Sequence, residues 1–303
     1  MRNMSIELCG VRLKNPLIAA SGTFGFGREY EELYDITIWG GISVKGLTDE
    51  PRTGNPPHRI AETASGILNS VGLQNPGVDA FIRDELPRLA RYDLSVIANV
   101  AGSTAESYRD AVRKLSNSQV DIIELNISCP NVKQGGIQFG ICPGDAAALT
   151  EAVRPVCRQP LMVKLSPNVS DIAAMARAVT GAGADAVSLI NTITGMAIDA
   201  KTRKPVLANV TGGLSGPAIK PVALRMVWQA ANAISAPVIG MGGIMTGTDA
   251  AEFLIAGAVG VMVGTANMVD PYAGPRILRE LECFMDENGV TDVNELACSL
   301  KTN

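Results

Sequence analysis

Residues 161–190, LMVKLSPNVSDIAAMARAVTGAGADAVSLI, contain one complete strand–helix–strand pattern. The apolar run Leu161–Leu165 is followed by the amphipathic segment Val169–Ala182 and then by a second apolar run, Ala186–Ile190. Continuous apolar runs this short are typical of strands buried on both faces, and the helical segment between them indicates a right-handed parallel crossover. The pattern therefore predicts a β-α-β unit.

The same pattern recurs along the whole chain of 303 residues. Eight apolar runs are predicted strands: Leu17–Ala20, Ile42–Val44, Val96–Val100, Ile122–Ile127, Leu161–Leu165, Ala186–Ile190, Val238–Met241 and Val259–Val263. Amphipathic segments separate most of them, as in Gly77–Leu89, Thr104–Leu115, Pro143–Val153, Val169–Ala182, Pro221–Ala233 and Thr248–Ala256. Eight repeats favour closure, so we predict an α/β fold, a (β/α)8 TIM barrel formed by one domain over residues 1–303.

Three connections are longer than ordinary loops: 48–76 after the second strand, 130–142 after the fourth and 192–220 after the sixth. Because each follows a strand, we expect them to form active-site insertions on the catalytic face of the barrel. The segment Ile6–Lys14 predicts an N-terminal hairpin that closes the opposite end.

Composition limits the possible partners. Hydrophobic residues make up 47% of the chain, the net charge is −4, and no long basic run is present, which argues against nucleic acid. The amino terminus lacks an apolar signal core, and the longest apolar stretch, Leu254–Val269, is shorter than the roughly 20 residues of a membrane helix. We therefore expect a soluble cytoplasmic protein without membrane contact.

The six cysteines have no zinc or iron–sulfur spacing, so no metal is expected, and most should be small buried hydrophobes.

Polar residues and glycines stand at the ends of the predicted strands: Ser21, Gly22, Lys45, Gly46, Asn99, Asn126, Cys129, Asn168, Asn191, Thr192, Gly242, Gly243, Gly264 and Thr265. Barrel enzymes build their sites from this end, so these residues predict a pocket. The glycines after strands seven and eight favour a phosphate site, because glycine lets backbone N–H groups approach phosphate oxygens closely. Paired carboxylates are absent from the strand ends, which argues against a glycosidase.

Lys164 is a cation inside an otherwise apolar strand. A buried cation requires an anionic partner, and a reduced flavin would provide one. A Schiff-base lysine, as in aldolases, and a structural salt bridge remain open alternatives.

Cys129 precedes a proline at the root of a glycine-bearing loop and is either a core residue or a reactive base. A free thiol has a pKa of ~8.5, which is close enough to neutrality for it to accept a proton when its surroundings help.

Asn69, Asn126 and Asn191 offer donors and acceptors that match a pyrimidine dione, although asparagine also caps turns. His58, in a proline-rich loop, is interpreted as structural.

The sequence resembles the dihydroorotate dehydrogenase family, specifically its NAD-linked two-subunit class. The motifs that carry the resemblance span nearly the whole chain: NPLIAASGTFGFG (15–27), SVKGLT (43–48), PRTGNPPHRIAET (51–63), NSVGLQNPG (69–77), ELNISCPN (124–131), VKLSPNV (163–169), INT (190–192), TGGLSGPAIKP (211–221), GMGGI (240–244) and VGTAN (263–267). Together they are specific, whereas GMGGI alone is not.

The resemblance implies two sets of site residues. FMN would be held by Ser21, Lys45, Gly46, Asn99, Asn126, Lys164, Ile190, Gly216, Gly242, Gly243, Gly264 and Thr265. Orotate or dihydroorotate would contact Lys45, Asn69, Ser70, Val71, Gly72, Leu73, Asn126, Asn191 and Thr192.

The resemblance also implies the chemistry. Cys129 would remove a proton from ring carbon 5 of dihydroorotate while a hydride leaves carbon 6 for the flavin, and Lys164 would stabilise the anionic reduced flavin. A partner subunit carrying FAD and a 2Fe-2S cluster would pass the electrons to NAD, in a heterotetramer of two catalytic and two partner chains around a catalytic homodimer. Cys142 departs from the family pattern, which has aspartate at this position.

Three other functions remain open. The same oxidation with fumarate as acceptor needs no partner and is typical of a homodimer. A lysine aldolase would form a covalent adduct on Lys164. A flavin-storing or scaffold barrel would bind the cofactor without oxidising dihydroorotate.

Overall fold

The structure is a computed structural model that describes residues 2–128 and 139–301. Its strands are β1 Ile6–Leu8, β2 Val11–Leu13, β3 Leu17–Ala19, β4 Gly41–Ser43, β5 Ile60–Thr63, β6 Gly66–Asn69, β7 Ser95–Val100, β8 Ile122–Asn126, β9 Leu161–Lys164, β10 Ala186–Leu189, β11 Ile193–Met196, β12 Ile198–Asp199, β13 Lys204–Pro205, β14 Thr211–Ser215, β15 Val238–Met241 and β16 Gly260–Val263.

The α-helices are α1 Arg28–Glu31, α2 Val78–Ala80, α3 Leu86–Leu89, α4 Ala105–Leu115, α5 Pro143–Val153, α6 Ile172–Gly181, α7 Lys220–Ala231, α8 Gly247–Ile255, α9 Thr265–Val269 and α10 Ala273–Glu287. A π-helical segment, Phe81–Glu85, joins α2 to α3. Short 3-10 helices occupy Ile36–Ile38, Arg154–Val156, Pro217–Ile219 and Val293–Leu296.

Eight parallel strands close into a barrel in the order β3-β4-β7-β8-β9-β10-β15-β16, with β16 pairing back to β3. The order follows the chain, as repeated β-α-β units require. All six residues of β7 are buried, which explains why these strands appear in the sequence as continuous apolar runs rather than alternating ones. The predicted (β/α)8 barrel is confirmed.

Helices surround the barrel, and their first turns show why they begin where they do. Thr104 and Ser107 form a reciprocal capping box on α4, and Thr246 and Asp249 do so on α8. Gly247 lets the outer helices α8 and α10 pack closely, because a Cβ at this position would collide with the α10 backbone at Leu281.

The predicted N-terminal hairpin is present as the antiparallel pair β1–β2. Cys9, in its turn, donates from Sγ to the carbonyl oxygen of Asp185, just before β10 begins (3.3 Å). A Cβ on Gly260, at the start of β16, would lie 2.9 Å from Ile6 Cδ1. The hairpin therefore covers the amino ends of the barrel strands and leaves the carboxyl ends for the site.

Two of the predicted insertions combine into one sheet. The insertion after β4 supplies β5 and β6, the insertion after β10 supplies β11 and β14, and the four strands pair in the order β11-β14-β6-β5. The third insertion, 130–142, lies mostly outside the described residues. Within the part of the chain that the structure describes, no helix has the length and apolar character needed to cross a membrane.

Candidate active site

A pocket opens at the carboxyl ends of the barrel strands, where all eight strands and the four-stranded sheet contribute to its wall. The cofactor set predicted from sequence lines it in full: Ser21, Lys45, Gly46, Asn99, Asn126, Lys164, Ile190, Gly216, Gly242, Gly243, Gly264 and Thr265. Of the predicted substrate contacts, Lys45, Asn69, Val71, Gly72, Leu73, Asn126, Asn191 and Thr192 line the same pocket. One cavity therefore gathers both sets.

Two predicted residues are not placed at the pocket wall. Ser70 is fully buried behind it, where its Oγ accepts a hydrogen bond from Asn55 Nδ2 (3.2 Å) and its backbone N–H donates to Arg59 O (2.7 Å). Cys129 lies outside the described residues, so its predicted role as base stays a prediction. The nearest described residue in sequence, Ser128, is buried beside the pocket residue Asn126.

Lys164 ends β9 in register with Asn126 of β8. Only 5% of its surface is exposed, and its Nζ forms no hydrogen bond or ion pair with any residue in 2–128 or 139–301. The structural salt bridge considered above is therefore absent from this part of the chain. A buried ammonium group is unfavourable without an anion, so the side chain favours a pocket ligand that carries negative charge.

A cluster of amide and hydroxyl groups orients Asn126. Ser128 Oγ donates to Asn126 Oδ1 at 2.7 Å and accepts from Asn191 Nδ2 at 2.5 Å. Because Asn126 Oδ1 already accepts, its Nδ2 is left as a donor toward the pocket, and it bonds to no residue that the structure describes. Tyr108 supports the strand end from behind through a hydrogen bond to Asn126 O (2.7 Å).

Three glycines with positive φ form one wall of the pocket: Gly216 (φ +99), Gly242 (φ +125) and Gly243 (φ +80). A Cβ on Gly243 would lie 2.9 Å from both Gly216 O and Lys220 N, so only glycine fits there. The backbone N–H groups of Gly243 and Ile244 donate to no partner among the described residues. The wall therefore presents free backbone donors, the groups that bind phosphate oxygens.

Apolar side chains complete the pocket, and sequence reasoning did not identify them: Ile60, Ile67, Ile219, Met241, Ile244, Met262 and Met268. Ser215 was also missed, although it lies in the quoted motif TGGLSGPAIKP; its Oγ accepts from Thr265 Oγ1 at 2.9 Å. An apolar residue at a strand end carries no chemical signal that separates a pocket wall from the core.

The other cysteines differ from the buried hydrophobes expected from sequence. Cys157 is buried, but Cys142, Cys283 and Cys298 are exposed, so the expectation is wrong for these three. Burial raises the pKa of the Cys157 thiol to about 11. Burial, followed by the charges of Asp185 and Glu7, raises the pKa of Cys9 to about 11 as well. Neither thiol is suited to accept a proton near neutral pH.

Comparisons with known proteins match almost the whole chain to one family. Residues 3–285 match the family model described as Dihydroorotate dehydrogenase. A protein of Alkaliphilus oremlandii named "Dihydroorotate dehydrogenase B (NAD(+)), catalytic subunit" is 57% identical over 295 residues, covering 97% of this chain and 98% of that protein. Proteins of the same name from Geotalea uraniireducens (54% identical; 99% of both chains) and Bacillus caldolyticus (52%; 97% of this chain, 95% of that one) are also similar.

A solved structure, DHODH from Eimeria tenella in complex with ferulenol, superposes with a TM-score of 0.80. The alignment covers 98% of this chain and 88% of that chain at 21% sequence identity. At this identity the likeness supports the barrel fold alone.

Proposed function

The chain belongs to the dihydroorotate dehydrogenase family, and we propose that it is the catalytic subunit that oxidises (S)-dihydroorotate to orotate in de novo pyrimidine (UMP) synthesis. The observation that carries this function is the similarity of relatives with this name, which are 52–57% identical over almost the whole chain. The pocket at the strand ends, which the predicted cofactor and substrate residues line, supports the proposal.

FMN is the cofactor that we propose for the pocket, because three features of the wall fit its groups. Asn99 Oδ1 is a buried acceptor at the pocket wall without a described partner, Lys164 is a buried cation without one, and the glycine wall offers free N–H donors. An N–H group of the flavin ring would donate to Asn99, and the negative charge of the reduced ring would pair with Lys164. The phosphate would accept from the N–H groups of the glycine wall. We assign FMN to the twelve predicted cofactor residues, all of which line this one cavity.

The substrate ring is proposed to lie against the amide cluster. Asn126 Nδ2 faces the pocket as a donor, and Asn69, Asn191 and Thr192 line the wall around it. Alternating donors and acceptors of this kind match the N–H and C=O groups of a pyrimidine dione. Leu73 and Gly72 close the side formed by the first insertion.

The reaction needs a proton acceptor and a hydride acceptor. Cys129, one residue beyond the cluster formed by Asn126, Ser128 and Asn191, is proposed to remove the proton from carbon 5 as a thiolate. FMN, when bound, supplies the hydride acceptor for carbon 6. Lys164 holds a positive charge at the pocket wall, where it offsets the negative charge that the reaction delivers there.

The relatives' name, "catalytic subunit", indicates that such chains work with another subunit. We propose that this partner carries FAD and a 2Fe-2S cluster and passes electrons to NAD, in a heterotetramer of two catalytic and two partner chains. The fumarate-dependent homodimer is the alternative, and the two differ in whether fumarate alone reoxidises the isolated chain.

Anaerobic mixing with dihydroorotate tests the function. The purified chain is expected to carry FMN, and one equivalent of dihydroorotate per flavin should bleach its visible absorption and release orotate. A chain that binds FMN but is not bleached would be a flavin store, and a colourless chain trapped by borohydride on Lys164 would be an aldolase. Either result overturns the proposal.

A further inference from the structure

A carboxylate is buried beneath the pocket. Glu124 is fully buried on β8, two residues before Asn126 and on the same face, hence roughly 7 Å deeper along the strand. Its Oε2 accepts from Ser43 Oγ (2.8 Å) and Asn99 Nδ2 (2.5 Å), and its Oε1 accepts from Ser188 Oγ (2.6 Å). Hydrogen bonds from three other barrel strands therefore stabilise the group.

This arrangement fixes the direction of the Asn99 amide. Asn99 Nδ2 donates to Glu124 Oε2, so Oδ1, on the other side of the same amide, faces away from the carboxyl group. Oδ1 is buried and has no partner among the described residues. It lies beside Gly46 of the pocket wall, where a Cβ would be 2.9 Å from it. A buried acceptor without a partner is unfavourable unless a ligand supplies a donor.

We propose that Glu124 is a positioning residue that acts through Asn99 and makes the pocket select the ring N–H of the flavin. The inference rests on the proposed function. An oxidised flavin ring has one N–H group, at N3, whereas its N1, N5 and two carbonyl oxygens are acceptors. A pocket that presents Oδ1 therefore matches N3–H, whereas a pocket that presents Nδ2 would place a donor against it.

The test compares the affinity of each variant for FMN and for 3-deaza-FMN, in which C–H replaces N3–H at the same size. The wild-type chain is expected to prefer FMN by about tenfold, the effect of one hydrogen bond to a buried acceptor. Glu124→Met keeps the length of the side chain but removes the acceptor, so the Asn99 amide is released and the preference should disappear.

Glu124→Gln is the conservative variant that separates positioning from charge. Its Oε1 can still accept from Asn99, and its Nε2 can donate to Ser188 Oγ, because a hydroxyl also accepts. The preference for FMN should therefore be retained. Ser188→Ala is the matched control, since it removes one donor from Glu124 without touching Asn99, and it should also retain the preference.

If Glu124→Met does not fold, Asn99→Leu gives a second test. It removes Oδ1 from the pocket wall, so the preference for FMN should be lost. Equal wild-type affinity for the two flavins, or full preference in Glu124→Met or in Asn99→Leu, would overturn the inference. Bleaching of wild-type FMN by dihydroorotate is unaffected by these outcomes, so the proposed function is tested separately.

Discussion

Asn126 and Lys164 stand in register across the neighbouring strands β8 and β9, and both side chains line the pocket. One is an amide that a hydrogen-bonded cluster orients, and the other is a buried cation without a partner in the described chain. Under the proposed function, this pairing puts a group that binds the ring beside a group that stabilises negative charge, as a flavin-dependent oxidation requires.

Lys164→Met is expected to stabilise the apoprotein and weaken flavin binding. Removal of an unpaired buried charge should raise the free energy of unfolding by about 1 kcal/mol or more. Loss of a charged hydrogen-bond donor should weaken FMN binding by about 10- to 100-fold. Urea unfolding of the apoprotein and equilibrium dialysis of FMN measure the two effects, with exposed Lys201→Met as a control that changes neither. Unaltered affinity would remove the role assigned to Lys164.

Gly243→Ala should destabilise the pocket wall. The added Cβ would lie 2.8 Å from Lys220 Cβ and 2.9 Å from Gly216 O, on a backbone at φ +80. We expect the free energy of unfolding to fall by about 1–3 kcal/mol and the affinity for FMN to fall strongly. Gly181→Ala is the matched control, because nothing lies within 4 Å of its Cβ at the end of α6. It should be neutral or stabilising in thermal unfolding, and equal behaviour of the two variants would contradict the assignment.

Cys142→Asp should stabilise the protein. Cys142 is the N-cap residue of α5, with φ −109 and no side-chain hydrogen bond to the helix. An aspartate there accepts from the first free N–H groups, so the free energy of unfolding should rise by about 0.5–2 kcal/mol. Cys142→Ala is the comparison and should have little effect in chemical denaturation. A destabilised aspartate variant would show that the loop disfavours the cap.

Asp249 is expected to make stability depend on pH. Burial would raise the pKa of its carboxyl, but hydrogen bonds from Lys220, Met245 N and Thr246 outweigh burial, and the pKa lies below its usual 3.8. Because the folded pKa is depressed, this stabilisation is present above pH 3.8 and is lost as pH falls through the folded pKa. Asp249→Asn should therefore lower the free energy of unfolding by about 1–3 kcal/mol at neutral pH.

Denaturation of Asp249→Asn and the wild-type chain at a series of pH values measures this dependence. The difference between the two proteins should shrink in acid, below the folded pKa of Asp249. A difference that stays constant from neutral pH into acid would mean that the charge of Asp249 contributes nothing.

The barrel could be predicted from sequence because strands buried on both faces are continuous apolar runs. The run predicted at Ala186–Ile190 is the strand Ala186–Leu189, and the helix predicted at Pro143–Val153 has those bounds. Helix α10 was missed, although it covers fifteen residues, because it follows the last strand and no further strand marks its end.

The four-stranded sheet over the pocket could not be predicted, because its pairs are distant in sequence. Leu68 of β6 pairs with Leu214 of β14, and nothing local in either insertion specifies the other. Glu124 was also missed as part of the site. The charged residue in the apolar run Ile122–Ile127 was a signal, but its partners lie on three other strands and become apparent only when the barrel closes.

The rate at which dihydroorotate bleaches the flavin in Cys129→Ala tests the central claim most directly. Measured anaerobically by stopped flow at neutral pH, with FMN content checked by its spectrum, the variant should keep the cofactor. Its reduction should be slower by about 10²- to 10⁴-fold, the usual contribution of a general base. Reduction at nearly the wild-type rate would contradict the account, because the proton at carbon 5 would then leave by another route.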